Sequence, residues 1–433
     1  MKNKEKRITL IILSIPFLLD QKRNTPLGLL YIASVLEQEG YTVNIVDLRG
    51  IDKGKWLGMI PDAEIYGMGA TSLEYHIAVE LAKKLREDRK CVIVLGGVHA
   101  SVVNVSTIDR VFDVIVQGDG ELAMLNLLSD YDKGSLKRVY NLPQIEDIDS
   151  LPFPARHLLP RDSIVSTELV ESGQPATTIT TSRGCPHECT FCANNTLTGR
   201  HVRFRSPDKV VEEIQKVIKD YSVYQFRFHD DTIGINKRRL KELCKKLSPL
   251  NIKWRCNGRV DSSDIETLSL LKEGGCIDIG FGVESASQKA LDLCKKRTTV
   301  EKSIQAIKNA KKVGLKTRIF LIIGLPGDFG DLSGRTIDFI KKANPDGVDI
   351  LTLCPFPGSE LYENPSKFDM KLKTYDLNKY LMKLGLENNE WNTDFTFEYK
   401  NVNNDELKYH RKKILEFVKE HDMRADFQGL SSN

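Results

Sequence analysis

The sequence predicts an α/β protein: a doubly wound parallel-sheet domain, then a partial β/α barrel of six units, then a mainly helical C-terminal region. Three observations carry that prediction. Up to about residue 130, continuous apolar strand patterns alternate with helical ones, as in parallel sheets covered on both faces. A stretch with Pro143, Pro152, Pro154 and Pro160 and no hydrophobic period then interrupts the pattern. A second alternation starts at Ala176 and runs through six strand-and-helix units. The expected boundaries are 1–139, a linker over 140–170, a barrel over 171–362 and a helical region over 363–433.

The elements follow in order. ITLIILSI reads as a strand and LGLLYIASVLEQEG as a helix closed by Gly40. YTVNIVDL and AEIYGMGA are strands, YHIAVELAKKLRED a helix, and CVIVLGG and VFDVIVQGDG strands that run into glycine. ELAMLNLLSDY is the last helix of this part. In the second part, strands ATTITTS, YQFRFHDD, IKWRCNGR, CIDIGFGVES, LKTRIFLIIG and VDILTLCPFPG are separated by helical patterns. A barrel of this kind places chemistry at the C-terminal strand ends. Beyond Ser366, YDLNKYLMKLGL and DELKYHRKKILEFVKEH read as amphipathic helices, with Tyr375, Tyr380, Trp391 and Phe395 as packing aromatics. The cluster Lys408, His410, Arg411, Lys412 and Lys413 lacks interleaved aromatic platforms and reads as a solvated face.

Composition excludes several classes. The chain has 433 residues, 41% hydrophobic and 28% charged, with a formal net charge of +4, and no concentrated basic field of a nucleic-acid binder. The apolar run Ile8 to Leu19 mimics a signal peptide, but it is too short to span a bilayer and fits a buried first strand better. Cys91, Cys244, Cys256, Cys276, Cys294 and Cys354 are scattered singly, as reduced thiols are, so a cytoplasmic location is expected.

The remaining cysteines, Cys185, Cys189 and Cys192, fall in RGCPHECTFC with spacing C-x3-C-x2-C, just past a strand's C-terminal end. Structural zinc takes four ligands, usually from two knuckles, and there is one knuckle here with His187 crowded between the thiols. A 4Fe–4S cluster also takes closely spaced thiolates, and three would leave one iron open to a substrate or cofactor.

The cysteine stretch, with Phe191 before its last thiol, resembles the cluster loop of the radical S-adenosylmethionine (SAM) superfamily. FHDDTI, GFGVESASQKAL, FLIIGLPGD and CPFPGSELY follow in the order and spacing of its subgroup with an N-terminal cobalamin-binding domain. The resemblance covers roughly Ile8 to Tyr362 and implies a Rossmann-like cobalamin domain followed by a TIM-like radical SAM barrel. It implies that Cys185, Cys189 and Cys192 hold three irons while SAM chelates the fourth and is cleaved to a 5′-deoxyadenosyl radical. Asp230 and Asp231 stand where the superfamily carries Gly-Gly-Glu, so either could meet the amino group of SAM, and either could instead cap the helix at Lys237. Arg259 is expected to fork the carboxylate and Glu284 to bond the ribose or amino group. Gly324 is expected to let the backbone approach the adenine.

In the first part, Gly69, Gly96, Gly97, Gly118, Gly120 and Glu121 lie in glycine turns that resemble corrin-binding turns. His99, in GGVHAS, is expected to line the corrin tail, because the D-x-H-x-x-G loop that supplies a cobalt ligand elsewhere is absent. The implied activity is methyl transfer from methylcobalamin to an unactivated carbon. Alternatives are ring formation, rearrangement, oxidation or C–C coupling on the same cofactors, tRNA methylthiotransfer, and a non-catalytic metal-binding protein. The implied partners are a small-molecule, lipid or peptide substrate and a flavodoxin- or ferredoxin-type one-electron reductant. No nucleic acid is expected, and a monomer is.

Overall fold

The computed structural model describes residues 7–15, 20–167, 169–377, 380 and 395–423. Two compact units emerge: residues 1–166 with 196–198, and residues 167–195 with 199–433.

The first unit holds six parallel strands, β1 (Ile8–Ile12), β2 (Val43–Asp47), β3 (Ile65–Gly69), β4 (Val92–Gly96), β5 (Val114–Gln117) and β6 (Val139–Asn141). Their order is β2-β1-β3-β4-β5-β6, all neighbours parallel. The sheet is doubly wound, with its strand order reversing at β1/β3. Its inner strands β1, β3, β4 and β5 are apolar at nearly every position because both faces are buried. Ile11, Tyr66, Met68, Leu95 and Ile115 pack on one side, with Leu81 and Leu85 of the helix Tyr75–Asp88. Ile8, Leu10, Val94 and Val114 pack on the other, with Leu36 of the helix Leu27–Gln38 and Leu127 of the helix Gly120–Asp132. The proline-rich stretch folds against this unit: Ala155 N donates to Leu30 O (3.1 Å), Thr25 Oγ1 to Ile164 O (2.9 Å) and Arg49 Nη2 to Ser163 O (3.2 Å).

The second unit is built on β7 (Ala176–Ile179) and, past a short antiparallel ribbon of β8 (Ser182–Arg183) and β9 (Arg203–Phe204), five more strands. These are β10 (Gln225–Phe228), β11 (Lys253–Gly258), β12 (Cys276–Glu284), β13 (Lys316–Ile323) and β14 (Gly347–Thr352). All pair in parallel in the order β14-β13-β12-β11-β10-β7, the six-unit open barrel the pattern predicts. The helices between them start on side-chain caps: Ser206 accepts from Lys209 N, Asn236 from Arg239 N, Asp264 from Thr267 N and Thr299 from Lys302 N.

Past the barrel, β15 (Met370–Leu372) and β16 (Phe397–Tyr399) form an antiparallel ribbon that the helical pattern did not indicate. The helix Asn404–Glu420 matches the second amphipathic segment. Its His410 and Arg411 are buried, bonded to Ser333 Oγ (2.9 Å) and Thr352 Oγ1 (2.8 Å), so two members of the basic cluster are packing groups. Tyr380 and Phe395 are buried and Tyr375 is exposed. Trp391 and most of the first amphipathic segment lie outside the described residues. Among the described residues, no helix is long and apolar enough to cross a membrane.

Candidate active site

The cysteine loop leaves the C-terminal end of β7 and is gripped at its entry by a buried carboxylate. Asp230, just past β10, accepts from Thr181 N (2.7 Å), Thr181 Oγ1 (2.5 Å) and Ser182 Oγ (2.6 Å). Burial pushes its carboxyl up, against the pull of these three bonds. Asp231 is exposed and accepts from Gly184 N (3.1 Å), one residue before Cys185. Neither aspartate caps the following helix, since Asn236 does.

The loop's exit is strapped from the other side by residues 294–297. Thr190 N donates to Cys294 O (3.0 Å), and Glu188 is ion-paired to both Arg200 and Arg297. Lys295 and Arg297 adopt left-handed φ of 52° and 55°, a conformation non-glycine residues take at a cost.

The three thiols differ in surroundings. Cys189 is buried and Cys185 half-buried. Cys192 is solvent-accessible yet crowded by protein, as in a recess, and desolvation pushes its thiol up to about 11. Desolvation likewise raises Cys185. Cys189 is among the neighbours that raise both. Among the described residues, no three His, Cys, Asp or Glu side chains converge tightly enough to hold a single metal ion. Three thiols on one loop nevertheless suit an iron–sulfur cluster, whose irons are spread over several ångströms and whose charge would offset the cost of forming thiolates.

Beside the thiols stand Arg259, Lys296, Glu284 and Phe191. Arg259, buried past β11, donates through Nε and Nη2 to Asp261 (3.0 and 3.1 Å), through Nη2 also to Lys296 O (2.5 Å), and through Nη1 to Cys189 Sγ (3.6 Å). Lys296 Nζ reaches Glu284 Oε1 (2.8 Å) and lies 5.9 Å from the centre of the Phe191 ring. Glu284 ends β12 at a bulge, with φ 68°, so its side chain leaves the sheet in a direction regular strand would not allow. A Cβ on Gly282 would collide with that carboxylate and sit 3.0 Å from Lys296 Nζ. Ser285 Oγ, next in the chain, donates to Oδ2 of buried Asp328 (2.6 Å), whose Oδ1 accepts from Arg335 Nη2 (3.0 Å).

Gly324, past β13, has φ +98°. Its carbonyl accepts from Tyr399 Oη (2.9 Å), and a Cβ there would meet Phe397 at 2.9 Å and Phe395 at 3.1 Å. Its lack of a side chain is used to seat the C-terminal aromatic ribbon.

In the first unit, the glycine turns fall on adjacent strands at one sheet edge. Gly69 and Gly96 are paired ends of β3 and β4. Gly97 (φ +87°) packs on the next strand's exit, where a Cβ would lie 2.8 Å from Ala70 N. Gly118 (φ +76°) follows β5 with open space beside it. Gly120 opens the helix Gly120–Asp132, its Cβ position 2.7 Å from Ile32 Cδ1, and Glu121 is buried in that helix's first turn. His99 is buried, with Nδ1 at 3.1 Å from Ser72 Oγ and its ring stacked on Tyr75 at 4.0 Å. Burial lowers its pKa to about 4, so the imidazole is neutral.

Lys296, Ser285 and Asp328 escaped the sequence reading. A chain with 63 lysines and arginines offers nothing to mark Lys296, and Asp328 lies in the quoted LPGD but looks like a turn residue. Their places come from tertiary packing.

The comparisons agree with this geometry. The family model of the radical SAM superfamily matches residues 179–340. An uncharacterized methyltransferase of Pyrococcus horikoshii is 32% identical over 363 residues, 78% of each chain. The anaerobic magnesium-protoporphyrin IX monomethyl ester cyclase of Rubrivivax gelatinosus is 28% identical over 390 residues, 82% of this chain and 68% of the relative. Among solved structures, the radical SAM methyltransferase TsrM of Kitasatospora setae, with cobalamin and a 4Fe–4S cluster bound, superposes with a TM-score of 0.69 at 14% identity, covering 86% of this chain and 81% of TsrM. A thiol loop at the barrel's strand ends, a relative at this identity over most of both chains, and a shared two-part fold lead to one conclusion: the chain belongs to the radical SAM superfamily.

Proposed function

We propose that this chain is a cobalamin-dependent radical SAM enzyme that methylates an unactivated carbon. The observation that carries the reading is the thiol loop of Cys185, Cys189 and Cys192, held at the C-terminal rim of a parallel barrel by Asp230 on one side and residues 294–297 on the other. When bound, the cluster supplies the electron that cleaves SAM and the corrin carries the methyl group.

The residues then take distinct work. Cys185, Cys189 and Cys192 hold the cluster. Asp230 has its carboxylate committed to Thr181 and Ser182 and orients the loop, which leaves Asp231 as the aspartate to meet the amino group of SAM. Arg259 has its fork occupied by Asp261, so Lys296 is the cation to meet the carboxylate, with Glu284 beside it for the ribose or amino group. Phe191 sets its ring 5.9 Å from the Lys296 ammonium, beside this pair. In the first unit, Gly69, Gly96 and Gly118 keep the sheet edge low enough for a flat macrocycle, and His99 acts through packing. The reductant would be a flavodoxin or ferredoxin, donating one electron at a time.

Ring closure on the same cofactors is a second reading, supported by the likeness to the cyclase. Product analysis with methyl-labelled SAM separates the two: label in product supports methyl transfer, and turnover without label supports the alternative. Cys189→Ala is expected to abolish SAM cleavage while cobalamin binding persists. Cleavage retained in that variant would sink the enzyme reading.

A further inference from the structure

We propose that Arg259 is a positioning residue for the Cys189 sulfur, and that its N–H sets the reduction potential of the cluster. The inference rests on the cluster reading above and adds a role for a residue whose expected task was to fork the carboxylate of SAM.

The geometry leaves Arg259 little freedom. Its guanidinium is buried, and Asp261 takes Nε and Nη2 at 3.0 and 3.1 Å. The Lys296 carbonyl takes Nη2 again at 2.5 Å. A planar fork fixed along two edges presents its remaining nitrogen in one direction. That nitrogen, Nη1, points at Cys189 Sγ, 3.6 Å away.

The other two thiols take their hydrogen bonds from neutral groups, the His187 backbone and Thr232 hydroxyl for Cys185 and the Asn194 backbone for Cys192, and the charged side chain acting on both is the Asp231 carboxylate. Arg259 is thus a cationic donor to one of the three, Cys189. Reduction adds one electron, hence one negative charge, to the cluster, and no bond breaks. A fixed positive donor on a ligating sulfur stabilises the more negative, reduced form and raises the potential. Burial strengthens the effect, because water does not screen it.

The experiment is a redox titration monitored by electron paramagnetic resonance, on the full chain reconstituted anaerobically with iron and sulfide, without SAM. Arg259→Gln is expected to shift the midpoint negative by about 60 mV or more, tenfold in a one-electron equilibrium. Arg259→Lys, which keeps charge but not the fork, is expected to fall between Gln and wild type. Both variants are expected to retain the spectral change that added SAM produces. Wild-type midpoints in both, at full iron content, would overturn the proposal. So would a lost SAM response at an unchanged midpoint, which would return Arg259 to the carboxylate. If Arg259→Gln holds no cluster, Asp261→Asn decides: loosening the fork should shift the midpoint negative, and an unchanged value overturns the proposal. Wild-type protein that takes up no cluster would instead defeat the enzyme reading, and this inference with it.

Discussion

Lys296 and Glu284 form an ion pair with side chains only 5% and 11% exposed, so each charge depends on the other. Removing one partner of a buried pair costs about 3–5 kcal/mol, because the remaining charge is stranded. Lys296→Met is therefore expected to weaken SAM binding at least about tenfold, roughly 1.4 kcal/mol, and to lower the unfolding midpoint. Adding Glu284→Gln should recover stability without recovering affinity, since the stranded charge is gone but the ammonium is still missing. Equilibrium dialysis with labelled SAM and denaturant titration read the two effects separately. His99 carries a different linkage. Its folded pKa of about 4 lies below the unfolded value near 6.5. Between those values the unfolded chain takes up a proton that the folded chain refuses. Stability is thus unaffected above about pH 6.5 and falls as pH drops toward 4. At pH 5 the loss is about 2 kcal/mol relative to pH 7, and His99→Phe should remove that part of the slope in urea titrations.

At the scale of elements, the strand ends decide what the sheets can hold. Gly97 and Gly118 both have positive φ, but only Gly97 has backbone where a side chain would go, at 2.8 Å from Ala70 N. Gly118→Ala is expected to cost about 1 kcal/mol, from conformation alone. Gly97→Ala should cost about 2–3 kcal/mol, since the β4 exit must also move away from Ala70. The difference should appear as separate denaturation midpoints for the two variants. The same reasoning explains why elements were easier to read than sites. The strand GFGVE predicts an acid emerging from β12, and Glu284 is there. Its left-handed φ and its partner Lys296 depend on a bulge and on a strap from a later segment. Asp230 and Asp231 are adjacent and chemically alike in the sequence. Only the positions of Thr181, Ser182 and Gly184 separate a clamp from an exposed carboxylate.

At the scale of the whole molecule, each unit carries its own core, and the thiol loop sits at the rim of the second. Ile279, Phe281, Ile319 and Val348 fill the barrel strands with no exposure, while the thiols sit on a loop past β7, where Cys189 is buried but Cys185 and Cys192 are not. Chelating iron from the reconstituted protein is therefore expected to bleach its visible absorbance and leave its far-ultraviolet circular dichroism nearly unchanged. A small zinc domain, whose folding energy is its metal binding, would unfold. Collapse of the dichroism on iron removal would mean that the loop, not the barrel core, holds the second unit together.

The sequence by itself determined the two α/β parts, the six barrel strands, five of the six strands of the first sheet and the thiol loop; β6, at the edge of the expected linker, was not among them. Apolar strands buried on both faces and a C-x3-C-x2-C spacing are local patterns that need no partner to be read. It also marked a proline-rich junction, though not that this stretch packs onto the first sheet. Only the tertiary structure decided which charge serves which group. Arg259 meets Asp261 and Cys189, Lys296 meets Glu284, and Gly324 meets the C-terminal aromatics across gaps of 2 to 75 positions. Burial and direction select among chemically equivalent side chains, and neither is a property of the residue before the chain has folded.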